Sequence, residues 1–226
     1  MSVIDHTGIQ LACRNRAINS LTVATTGSTS LSTTSTGYAR ASGSFITDGF
    51  VPGMEMVATG FAAGNNTARV ITQVVTGFIT TATAPDSVQG AASGRTITVG
   101  LPASRAWENI KLVPVPGTPW VEEQYIPGPS TKITLSRTGE IELTPMYQLQ
   151  IHVPEDTGIS ANGRYADAIT DLYSPISAFT TSSSIVVQVR SDVGPFRGQR
   201  QQSFEGFSVI PITIPLRCRI PNVVAA

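Results

Sequence analysis

A change of character near Leu101 constrains this chain more than any other feature. Residues 22–100 form a Ser/Thr/Gly-rich, almost uncharged stretch of β-like runs, whereas from Arg105-Ala106-Trp107-Glu108-Asn109-Ile110 onward strands alternate around one helix. The chain also opens with a helical pattern, Thr7 to Leu21, which the uncharged stretch separates from any core it could pack on. A helix with one apolar stripe has to bury that stripe. Residues 1–21 and 101–226 are therefore expected to form one discontinuous domain, with 22–100 inserted as a small all-β domain that projects from it.

The chain of 226 residues is long enough for two cores. Charged residues are 13% of it, against about 25% in typical globular proteins, while hydrophobic content is an ordinary 41%. Ser, Thr, Gly and Pro make up the difference, which favours β structure with many turns. Fifteen basic and fifteen acidic residues cancel, so no long-range field gathers nucleic acid or an anionic membrane. Near-zero net charge also suits self-association. There is no apolar run of membrane-spanning length, and the start lacks a basic region followed by an apolar signal core, so a cytoplasmic site of synthesis is expected. Cys13 and Cys218 match no metal or redox spacing and are expected as reduced, buried thiols.

Thr7 and Gln10 have the spacing of a capping box. Ile9, Cys13, Ala17 and Leu21 follow at intervals of four, with Leu11 and Ile18 widening the face. Six β-like runs come next, at 21–24, 38–45, 54–59, 69–75, 78–83 and 96–99, whose spacing suggests a small sandwich or barrel. The Ser/Thr run from Thr25 to Thr36 reads as a mobile linker or an exposed loop. The phrases Gly49-Phe50-Val51-Pro52-Gly53 and Gly60-Phe61-Ala62-Ala63-Gly64 are too closely spaced to be a structural repeat.

Beyond Leu101, Ile110 and Leu112 alternate with Lys111 as a short strand, and a Pro/Gly turn leads into a strand at Trp120 to Ile126. Ile133 and Leu135 face Ile141 and Leu143 across a turn, as a hairpin. Tyr147, Leu149, Ile151 and Val153 alternate with Gln148, Gln150 and His152, which marks a strand with one buried face. A second helix, capped by Asp156 or Thr157, runs to about Tyr173 with the stripe Tyr165, Ile169, Leu172 and Tyr173, and Ser174-Pro175 ends it. Ile185 to Val189 is a further strand. Pro211 and Pro215 cannot donate ladder hydrogen bonds, so the closing strand through Ile220 is expected at a sheet edge or with an irregular start.

Catalytic chemistry is sparse. His6 is expected in a loose terminus, and His152 on a polar strand face. No nucleophile elbow, phosphate loop, dinucleotide fingerprint or metal motif occurs. Glu122 and Glu123 are adjacent on a strand and point to opposite faces, which makes them unfit to share a metal or divide acid and base roles. Glu140 and Glu142 share a face beside a turn and read as solvated. The basic stretch 190–200, with Arg197 and Arg200 in it, reads as a loop for a protein neighbour, as a contact to phosphate, or as a solvated hairpin with Phe196 tucked beneath it. An enzyme is not expected, nor is a cofactor or metal.

Four runs in order carry a resemblance: 105–110, Pro116-Gly117-Thr118-Pro119-Trp120, Tyr147-Gln148-Leu149-Gln150-Ile151-His152-Val153-Pro154 and Tyr165-Ala166-Asp167-Ala168-Ile169. With the closing run 207–218, they resemble the tail terminator (tail completion) family of long-tailed bacteriophages over most of residues 101–221, and the opening helix is similar to that family's start. The resemblance implies an α+β fold, a mixed or antiparallel sheet with two main helices packed on it. It also implies a homohexameric ring on the head-proximal end of the tail tube, which stops tube growth and presents a surface to the head connector or neck protein. The expected partners are the chain itself, the tail tube protein and the head connector. No membrane and no specific nucleic-acid binding are expected, although DNA passing through the ring lumen fits the reading.

The stretch 22–100 departs from the family pattern and is similar to small β domains that decorate other phage tail proteins. The loops 127–132 and 193–203 are the candidate contacts to neighbouring subunits or the tube, with Pro127, Ser130, Lys132, Phe196, Arg197 and Arg200 as their residues. Trp107, Trp120, Tyr125 and Tyr147 are expected as core or subunit-interface aromatics. Two alternatives stand beside this reading: a tail tube or head–tail joining subunit, and a carbohydrate- or surface-binding β module.

Overall fold

The computed structural model describes residues 5–108, 110–134, 139–155, 160–175, 177–202 and 206–221. The described residues are mostly β, with two helices and two sheets.

Helix α1 (His6–Ser20) is capped by Asp5, whose carboxylate accepts from the Gly8 amide at 2.7 Å. The capping box expected from Thr7 and Gln10 is not used; Gln10 turns its side chain to Glu108 and Glu123 instead. Ile9, Cys13 and Ala17 are fully buried, and Leu21 nearly so. Leu11 does not widen this face: it is 43% exposed, because two residues at about 100° each carry it to the far side of the helix from Ile9.

The first sheet is built from residues 24–99. Its strands are β1 (Ala24–Thr25), β2 (Leu31–Thr33), β3 (Gly37–Arg40), β4 (Glu55–Thr59), β5 (Ala68–Val75), β6 (Phe78–Thr81), β7 (Gln89–Ala92) and β8 (Thr96–Val99). They lie in the order β1-β8-β4-β5-β6-β3-β2-β7, and β1 and β7 do not meet. The sheet is therefore open, and the barrel alternative fails. β2 lies within the Ser/Thr run expected as a linker. Thr33 explains why: its buried hydroxyl donates to Ser87 O and accepts from the Gln89 amide, both at 2.7 Å. These two bonds tie the polar run to β7.

A buried guanidinium organises this sheet. Arg69 on β5 donates to Tyr38 Oη (3.2 Å), to the carbonyls of Thr83 (3.1 Å), Ala84 (2.6 Å) and Gly64 (2.9 Å), and to Asp86 (3.2 Å). The Gly-Phe phrases are tight turns that bury Phe50 and Phe61. Gly60 has φ +80, and a Cβ there would meet Gly94 O at 2.6 Å, so a side chain is refused twice.

The second sheet contains β9 (Ser104–Ala106), β10 (Trp120–Ile126), β11 (Ser130–Lys132), β12 (Glu140–Leu143), β13 (Met146–Pro154), β14 (Ala178–Thr180), β15 (Val186–Val189), β16 (Phe196–Arg197), β17 (Gln201–Gln202) and β18 (Phe207–Pro221). β9 runs parallel to β10 and the remaining pairs are antiparallel, so the sheet is mixed. The strand expected at Ile110–Leu112 does not form. Pro114, Pro116 and Pro119 interrupt the ladder there, and Ile110, Val113 and Val115 are exposed; β9 lies beside β10 instead.

β18 is the centre of this sheet, contrary to the expected edge. It pairs with β12 and β13 on one side and with β15, β16 and β17 on the other. Its prolines are tolerated because the carbonyls of Pro211 and Pro215 accept from Gly198 N (2.8 Å) and Arg190 N (3.0 Å). Each residue's N–H and C=O point to the same side of a strand, so the missing donors fall on the flank of short, interrupted strands. The β11–β12 hairpin pairs Lys132 with Ile141, while Leu135 lies outside the described residues.

Helix α2 (Ser160–Leu172) buries Tyr165 and Ile169, and Tyr173 follows it fully buried. Asp156 and Thr157, the expected caps, lie outside the described residues. Tyr173 Oη donates to Cys13 O at 2.6 Å, and Arg16 Nη2 to Leu172 O at 2.8 Å, which joins the two helices.

Candidate functional site

α1 meets the second sheet through a buried carboxylate. Glu123 on β10 accepts from Arg14 Nε (2.9 Å) and Nη2 (2.5 Å), Gln10 Nε2 (2.6 Å) and Tyr147 Oη (3.0 Å). Its neighbour Glu122 points to the other face, half-exposed and 3.7 Å from His152 Nε2. A buried charge is tolerated when it is paired and its lone pairs are satisfied, and all four donors here come from side chains packed around it. The Arg14 guanidinium also lies 4.9 Å from the Trp107 ring centre, so Trp107 is drawn against the same network.

Several other titratable groups are buried. Burial pushes the Tyr147 and Tyr173 phenols and the Cys13 thiol well above their ordinary values, and the Cys218 thiol up to about 12. Both cysteines are free and buried, and a protonated buried thiol is a poor nucleophile. His152, expected on a polar surface, is buried under Trp120, with ring centres 3.5 Å apart and planes 16° from parallel. Burial lowers its pKa to about 4. His6, expected in a loose terminus, opens α1 with Nδ1 3.0 Å from Tyr125 Oη. Among the described residues no group of three or more His, Cys, Asp or Glu could hold a metal ion, and no helix is long and apolar enough to cross a membrane.

What the fold offers is surface at its sheet edges. β9 covers only Trp120 to Glu122 of β10. Past it, a groove of about 640 Å³ follows the uncovered half of β10, with Trp107, Glu108, Ile110, Gln124 and Tyr125 on its walls. A second depression of about 440 Å³ adjoins it through Glu108 and Tyr125 and reaches His6, Gln10 and Pro127. Pro127 is exposed at the end of β10, and Ser130 and Lys132 are exposed on β11. On the opposite flank, β16 and β17 pair only with β18 among the described strands.

Phe196 on β16 is 46% exposed, not tucked beneath its loop, because β16 lies flat against β18 at Thr213. The exposed Arg197 side chain pairs with Asp167, and Arg200 Nε donates to Ser208 Oγ at 2.6 Å. The six candidate contact residues thus fall on two opposite flanks and do not form one cluster. Of the four singled-out aromatics, Trp120, Tyr125 and Tyr147 are buried and Trp107 is half-buried on the groove wall. Glu108 and Ile110 went unrecognised as groove residues; the prolines that follow them were the available signal.

No curated protein matches this chain. One solved structure shares 17% identity over 53% of this chain and 79% of its own, with a TM-score of 0.42, a likeness too slight to carry an argument. A family model described as phage tail terminator protein matches residues 87–216. That match begins within the first sheet, at β7 and β8, takes in β9 to β17, α2 and most of β18 of the second, and spans more than half of the sequence. The chain therefore belongs to the phage tail terminator family, a structural family of the phage tail.

Proposed function

We propose that this protein forms a homohexameric ring on the head-proximal end of the tail tube, ends tube polymerisation there and presents a surface to the head connector. Family membership over residues 87–216 is the observation that carries the reading. The chemistry fits it: capping a tube requires contact area and loop shape but no reactive group, and the described titratable side chains are buried, paired or solvated. The partners are the chain itself, the tail tube protein and the neck protein, with DNA passing through the lumen. Assembly takes place in the host cytoplasm.

In this reading residues 1–21 and 101–226 make the ring-forming domain, and 22–100 is an inserted β domain standing out from it. The bonds from α1 to Glu123 and Tyr125 support the first half of that division. The confinement of the first sheet to residues 24–99 supports the second.

The test is to add purified protein to growing tail tubes and measure tube length and end structure by negative-stain microscopy. Capping at one end, with a single closed ring, is the expected result. Long cylinders formed by the protein alone would make it a tube subunit. Tubes that grow unchanged in its presence would end the proposal. Glycan binding by the full chain, lost when 22–100 is deleted, would assign that stretch to surface attachment.

A further inference from the structure

The two ends of the first sheet approach each other without pairing. Residues 26–30 carry the chain from β1 to β2, residues 93–95 carry it from β7 to β8, and a cleft of about 620 Å³ lies between these two connections. Sites for small ligands measure about 300–1,000 Å³. The walls are residues 26–30 and 93–96, which hold six hydroxyl side chains, no carboxylate and no large apolar group. The hydroxyls of Ser28, Ser30, Ser93 and Thr96 have no hydrogen-bond partner among the described residues. The one charge on the walls is Arg95, which is half-buried. Its guanidinium lies 4.5 Å from the Phe61 ring centre and donates through Nη1 to Leu31 O (2.7 Å) and Gly90 O (2.5 Å), and through Nη2 to Gln89 Oε1 (3.1 Å). A guanidinium has five N–H donors, so Nε–H and one Nη2–H are left over. The other two arginines of residues 22–100, Arg40 and Arg69, are paired with Asp48 and Asp86. Arg95 has no carboxylate partner among the described residues. It is a cation fixed from behind, with spare donors of the kind that bind carboxylate or phosphate oxygens most strongly.

We infer that this cleft binds an anionic saccharide, with the sugar's carboxylate or phosphate on the spare Arg95 donors and its hydroxyls on Ser28, Ser30, Ser93 and Thr96. Serine and threonine hydroxyls both donate and accept, which matches ligand hydroxyls that do the same. A nucleobase finds no ring to stack on, since Phe61 lies behind Arg95 and is only 7% exposed. A cationic ligand meets Arg95 with no acid to offset it, and an apolar side chain has no apolar wall to bury against. Gly27 leaves bare backbone on the wall, where a Cβ would meet nothing within 4 Å, so a sugar ring has room to approach. The site lies wholly on residues 22–100 and does not rest on the ring reading.

The experiment is isothermal titration of the full chain with trigalacturonate and with glucose 6-phosphate, against maltotriose, glucose, acetate and inorganic phosphate as controls. At least one of the two acidic sugars should bind about tenfold or more tightly than its neutral counterpart and than the free anion, and which one binds identifies the charge. Two variants locate the site. Gly27→Glu sets a carboxylate in the open space of the cleft and leaves every Arg95 bond in place, so its melting curve should match the wild type while binding falls at least about tenfold. Arg95→Gln should lose binding to the same degree, with some loss of stability because three of its bonds go. Four outcomes overturn the inference: neither acidic sugar binds, the neutral sugars bind as well, acetate or phosphate alone binds as well, or folded Gly27→Glu binds like the wild type. Each of these leaves the ring reading standing, and a failure to cap tubes leaves this one standing.

Discussion

The indole of Trp120 and the imidazole of His152 lie face to face, 3.5 Å between centres, on adjacent strands of the second sheet. The stack leaves both imidazole nitrogens buried without a hydrogen-bond partner, and Phe207 closes it edge-on. That arrangement accepts the neutral ring and resists the charged one.

Acid should therefore loosen the protein earlier than its carboxylates alone would. The folded pKa of His152 is about 4, against an ordinary value of 6.5. Its stabilising contribution is fully present above the unfolded value and is lost as pH falls from about 6.5 towards 4, because the unfolded chain takes up the proton first. The full loss is about 3 kcal/mol, softened by the Glu122 carboxylate at 3.7 Å. Urea midpoints measured from pH 7 to 4.5 should fall, and His152→Phe should flatten that part of the profile.

The Arg14–Glu123 pair should be strongly coupled. Arg14→Ala leaves a carboxylate whose side chain is fully buried and should cost about 3–5 kcal/mol, as should Glu123→Ala. The double variant Arg14→Met, Glu123→Leu should cost far less than the sum of the two. Urea unfolding of the four chains checks this, and additive losses would show that the pair acts separately.

Both cysteines should be silent towards thiol reagents in the native state. Burial holds Cys13 and Cys218 protonated at pH 8, so a chromogenic disulfide should react slowly in buffer and with two thiols per chain in urea. Rapid native reaction of either would contradict its burial.

Arg69→Met should destabilise the first sheet by about 2–4 kcal/mol, since it leaves three carbonyls and the buried Tyr38 hydroxyl without the donor that joins them. Hydrogen exchange should rise first in residues 62–66 and 83–86, which the guanidinium holds together. Amides of α2 should change little.

Much of the fold is legible where periodicity and burial coincide. The stripe Ile9, Cys13, Ala17 and Leu21 is buried as its spacing requires, and so is the run Tyr147, Leu149, Ile151 and Val153. What escaped depends on partners distant in sequence. Thr33 looks like linker until Ser87 and Gln89 supply its bonds. His152 looks like a surface residue until Trp120 covers it. The prolines of β18 suggest an edge because a single strand does not reveal that its two flanks are unequal.

The groove was hidden for a related reason. Ile110 alternates well with Leu112, yet β9 occupies the ladder position, and the displaced residues become the wall of a cleft. Arg200 was recognisable from composition as exposed-loop chemistry, whereas Phe196 read equally well as tucked beneath its loop. That they lie across the sheet from Pro127 is a property of topology.

The central position of β18 also sets the order of events in making the protein. It follows its five strand partners in sequence, so a ribosome delivers β12, β13, β15, β16 and β17 before the strand that joins them exists. Until Phe207 and the residues after it emerge, those strands remain open-edged and prone to aggregate. The sheet is completed in one late step rather than strand by strand, and any nascent chain stalled before that point is left without the centre of its larger sheet.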